Sequence, residues 1–78
     1  MINRMIYSSI FRSGVWCVES DGEVLSKHET QVDAEDAAHK DAKDFHEKGG
    51  LSQAVFYLRS HTFKGQQTYG KDPLPALA

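Results

Sequence analysis

The chain has 78 residues, 40% of them hydrophobic and 26% charged, with a formal net charge of −2. That size and composition fit one domain with a small core, and they argue against wholesale disorder and against a strongly basic nucleic-acid binder. A single cysteine, Cys17, excludes an internal disulfide; with no Cys/His cluster spaced for zinc, it points to a reducing, cytoplasmic setting. No run of about 18 apolar residues offers a membrane-spanning helix, and the N-terminal residues lack the apolar run of a signal peptide.

Taken in order, Met5 to Phe11 is rich in β-branched and aromatic residues and predicts a strand, broken by Arg12-Ser13-Gly14. Val15-Trp16-Cys17-Val18 is a short apolar run typical of an interior strand. Asp21-Gly22 is a two-residue hairpin signal, with Glu23 to Lys27 as the returning strand. The clearest element is a helix over about Gln31 to Lys48. Thr30 is its N-cap, with Asp33 three residues on, and Gly49-Gly50 is its stop. Ala34, Ala37, Ala38, Ala42 and Phe45 recur at helical spacing and form one narrow apolar stripe. Ala54 to Arg59 predicts a further strand, Ser60-His61-Thr62 a turn, and Phe63 to Thr68 a last strand that Gly65 weakens or bulges. Pro73 and Pro75 end regular structure, and residues 76–78 read as a frayed tail after a single domain over residues 1–75.

The order β-β-β-α-β-β gives an α+β domain: a small antiparallel sheet of four to five strands packed on one helix. One helix covers one sheet face, so the other face meets water or a partner.

Charge is uneven. Residues 29–48 carry seven acids and three lysines, a net −4, against +2 for the remainder. On the helix, Asp36 with Lys40 and Asp44 with Lys48 have the spacing of ion pairs. His39 and His46 stand about 10 Å apart along the helix and cannot share one ion, so no metal or other cofactor is expected. Cys17, set between Trp16 and Val18, reads as a small buried hydrophobe rather than a nucleophile. No serine has an elbow motif around it, and Gly49-Gly50 follows its helix rather than preceding it as a phosphate loop does. The chain is therefore expected not to be an enzyme.

The segments Gly14-x-Trp16-x-Val18, Thr30 with the alanine-spaced helix, and Thr68-Tyr69-Gly70-x-Asp72-Pro73-x-Pro75 together resemble a family of short bacterial and phage domains of unknown function. The resemblance spans about Gly14 to Pro75, and its specific part is the tail. It implies a tryptophan strand, a second strand, one helix and a closing hairpin, with no catalytic residue to carry over. Occurrence of such domains in phage and mobile-element neighbourhoods implies an accessory role. This chain departs from the pattern in its additional N-terminal strand and in Ser60-His61-Thr62, where an aspartate-glycine turn is more usual.

These readings lead to the expectation of a non-enzymatic interaction module acting on a host or self protein, as an inhibitor or adaptor that is anti-defence in one version, or as a homodimer. Candidate partner-binding residues are the acids Asp33, Asp36, Asp44 and Glu47, together with Trp16 and Tyr69. The alternative is an RNA or single-strand binder using the sheet aromatics Tyr7, Trp16, Phe56 and Tyr57. The negative total charge and the lack of a basic cluster argue against it.

Overall fold

The computed structural model describes residues 4–70. Five strands and one helix follow in chain order: β1 (Arg4–Arg12), β2 (Val15–Ser20), β3 (Glu23–His28), α1 (Gln31–Glu47), β4 (Leu51–Tyr57) and β5 (Phe63–Tyr69). They form the expected α+β domain, a single sheet in the order β3-β2-β1-β4-β5 with one helix. Three strand pairs are antiparallel, but the central pair β1–β4 is parallel. The reason is topological: α1 is the crossover that returns the chain to the far side of β1. The additional N-terminal segment is thus the middle strand of its own sheet.

Local chemistry explains most boundaries. Ser13-Gly14 and Asp21-Gly22 all take positive φ, the geometry of two-residue hairpin turns that matches strand twist. The Thr30 hydroxyl accepts from the Asp33 amide at 3.1 Å and caps the helix. Gly49, at φ 101°, ends it. β4 begins at Leu51, three residues earlier than the apolar pattern indicates, because its first residues, Ser52 and Gln53, are polar yet buried. The loop after β4 closes when the Leu58 amide donates to the Thr62 carbonyl at 2.8 Å. A register shift opposite Gly65 and Phe63 marks the bulge that Gly65 suggests.

The core lies between the helix and one sheet face. Ala34, Ala38 and Ala42 are fully buried and meet Tyr7, Trp16, Val18 and Ala54, with Met5, Phe11, Phe45, Phe56 and Tyr69 around them. Small side chains on both layers let the helix sit close: Ser9 and Ser52 are fully buried, and the Ser52 hydroxyl donates to the Ala42 carbonyl. Trp16, Val18 and Phe56 therefore all face the helix. Leu58 lies beyond the end of β4 and is 41% exposed. The helix lies over β1 and β4 and covers the two edge strands, β3 and β5, only lightly.

Candidate functional site

An open groove of about 550 Å³ lies between β3 and the C-terminal half of α1. Its floor is Tyr7 on β1 with Ala37 and Phe45 on the helix; Leu25, Ser26 and His28 form one wall. Lys40, Asp41, Asp44 and Lys48 form the other. The Tyr7 and Phe45 rings are tilted at 58° with centroids 6.5 Å apart. Leu25 is the residue left over by a bulge: Ser26 pairs with Val18 and Val24 with Glu19. Val24 and Leu25 are each about half exposed on this edge strand.

The charged groups around the groove are differently engaged. Lys40 donates to Asp44 at 2.9 Å, so the helix pairs Lys40 with Asp44 rather than with Asp36, and Lys48 is not the partner of Asp44. The ion pair raises the Lys40 pKa. Ser26 Oγ and His28 Nε2 share a hydrogen bond of 2.8 Å. Asp41 is half-buried and forms no hydrogen bond or ion pair with any described residue. Burial raises its pKa, the Asp44 charge adds to that, and Lys40 and His28 oppose it. Tyr7 is 8% exposed, and its hydroxyl likewise has no hydrogen-bond partner among the described residues. Its pKa is raised by burial first and by the Asp41 charge second.

The residues singled out in the sequence fall in different places. Asp33, Asp36 and Glu47 are exposed on the outer face of α1 and Asp44 is half-buried at the groove, all at helical spacing on one stripe. Lys40 stands within that stripe and neutralises Asp44. Trp16 is a core residue, 7% exposed, with its ring tilted against Phe11 at 5.3 Å, so it offers almost no surface to a partner. Tyr69 packs on the body of the domain, with its hydroxyl 2.8 Å from His39 Nδ1. The tail from Lys71 to Pro75, which carries most of the family resemblance, and residues 76–78 lie outside the described residues. Of the sheet aromatics, Tyr7, Trp16 and Phe56 face the helix; Tyr57 instead meets Phe63 edge-on at 6.4 Å. The stacking platform that the nucleic-acid reading needs is thus mostly covered.

Sequence reading placed Tyr7 among the sheet aromatics and Phe45 in the apolar stripe, but it named neither Leu25 nor Asp41 as a candidate and did not bring the four together. A signal for Asp41 was present: it sits three and four residues from Ala38, Ala37 and Phe45, a carboxylate on the flank of the apolar stripe. Among the described residues no group of three or more His, Cys, Asp or Glu side chains converges as a metal site, and no helix is long and apolar enough to cross a membrane. Comparison with protein-family models, with curated proteins and with solved structures finds no match.

Proposed function

We propose that the chain is a non-enzymatic protein-interaction module, and that its contact surface is the groove between β3 and α1 with the acidic stripe beside it. The observation that carries this reading is the pair Val24 and Leu25, each about half exposed on a sheet edge that borders an open groove with an aromatic floor. Apolar side chains rimming a concave, partly charged surface are what a protein contact requires: area to desolvate and polar groups to set register. The bulge at Leu25 disfavours simple edge-to-edge pairing with a second copy, so a partner other than the chain itself is the preferred occupant. The role of inhibitor or adaptor of a host complex, in a phage or mobile-element setting, belongs to the same reading.

Capture from a lysate of the source organism tests it, using the wild-type chain beside Leu25→Lys and the control Lys43→Ala, which changes an exposed residue away from the groove. A protein retained by wild type and by Lys43→Ala but lost by Leu25→Lys is the expected result. Retention of the same protein by Leu25→Lys overturns the reading.

A further inference from the structure

Resting on the reading of this groove as a contact surface, we propose that it receives a cationic side chain, lysine or arginine, from the partner protein, held between the Asp41 carboxylate, the Tyr7 hydroxyl and the Tyr7 and Phe45 rings. The parts are those that cation recognition uses. Two tilted aromatic rings, with centroids 6.5 Å apart, line the groove, and an aromatic ring attracts a cation. The Asp41 carboxylate is half-buried and without a hydrogen bond or ion pair among the described residues. A carboxylate left in that state costs free energy that a guest cation offsets. The Tyr7 hydroxyl, at the open end of an otherwise buried side chain, lines the same groove and has no hydrogen-bond partner among the described residues.

None of the described cations around the groove forms an ion pair with Asp41. Lys40 is committed to Asp44 at 2.9 Å, and Lys48, exposed at the helix end, lies beyond ion-pair distance of both acids. His28 is held by Ser26 on the opposite wall. A guest ammonium would donate to an Asp41 carboxylate oxygen and to Tyr7 Oη, with its methylene stem along Leu25 and Ala37. The acidic stripe of Asp33, Asp36 and Glu47 adds a longer-range attraction for a basic segment.

The test uses the whole chain, isotopically labelled, titrated with N-acetyl-lysine N-methylamide and with its norleucine analogue, which keeps the stem and lacks the amine. The expected result is saturable shifts of the Tyr7 and Phe45 ring signals with the lysine probe, at an affinity about tenfold above that for norleucine. Asp41→Asn abolishes that preference, with unchanged Trp16 fluorescence as the sign that the fold is intact. Equal affinities, or no shift at Tyr7 and Phe45 with either probe, overturn the proposal, and the wild-type comparison decides it even if the variant does not fold. Saturable lysine binding without a Leu25-dependent partner overturns only the interaction reading. A Leu25-dependent partner without a lysine preference overturns only the cation site.

Discussion

His39 Nδ1 and Tyr69 Oη stand 2.8 Å apart, and this bond ties the end of the last strand to the middle of the helix. The His39 ring also lies on Phe56, with centroids 4.8 Å apart. Glu35, one turn earlier, reaches Lys64 on the same strand at 2.7 Å. β5 is therefore tied to α1 by side chains at two points, whereas among the described residues β3 at the opposite edge makes no side-chain hydrogen bond or ion pair to α1. The groove lies on that side.

Tyr69→Phe removes only the hydroxyl and leaves His39 with a half-buried nitrogen to solvate. The expected loss is about 1 kcal/mol in urea unfolding. Tyr69→Ala also removes the ring and costs about 3 kcal/mol. Unchanged stability in Tyr69→Ala would mean that Tyr69 serves recognition instead of packing.

The two fully buried serines beneath the helix are predicted to behave oppositely. Ser9 has no hydrogen-bond partner for its hydroxyl among the described residues, so Ser9→Ala is neutral or stabilising, by up to about 1 kcal/mol. Ser52 donates to the Ala42 carbonyl, and Ser52→Ala costs about 1 kcal/mol. Chemical denaturation of both variants checks the pair.

Close helix-to-sheet approach predicts intolerance of larger side chains. Ala38, fully buried, faces the sheet, and Ala38→Leu is expected to cost at least 1–3 kcal/mol by overpacking. At Gly50 an added Cβ would run into the Phe45 ring, so Gly50→Ala forces that ring out of place. A loss of roughly 1–3 kcal/mol is expected, with altered Tyr7 and Phe45 ring signals.

Asp41 makes a signed pH prediction. Its pKa is raised by burial, with Lys40, Asp44 and Lys48 on its own helix, His28 on β3 and Tyr7 on β1 as the groups around it. The folded state thus holds this proton more tightly than the unfolded chain. Its contribution to stability falls as pH rises from the ordinary value of 3.8 through the folded pKa, and is constant above that. Asp41→Asn removes this slope and raises stability near neutral pH, by less than about 1 kcal/mol because water screens a half-buried group. Thermal melts across pH 3–7 read it. A variant less stable than wild type at neutral pH contradicts the assignment.

How much was legible in the sequence follows from the range of each interaction. Thr30, the alanine spacing and Asp21-Gly22 act within a few residues, so the helix, its cap and the hairpin could be read directly. The parallel pairing of Tyr7 with Ala54 joins distant segments, and nothing local announces it. Trp16 looked available because an apolar run does not say which face a helix will cover. The groove depends on where α1 settles over the sheet, so Tyr7, Leu25 and Asp41 gained a common meaning only in the fold. The helix ion pair shifted from Asp36–Lys40 to Lys40–Asp44 because one lysine has acids at both i−4 and i+4.

The claim that the groove is the contact surface is tested most directly by amide hydrogen exchange of the chain, free and with its captured partner. Added protection within Glu23–His28 and over the C-terminal half of α1 is the predicted result. Protection confined to β5 and the sheet face away from the helix, with β3 unchanged, would contradict it.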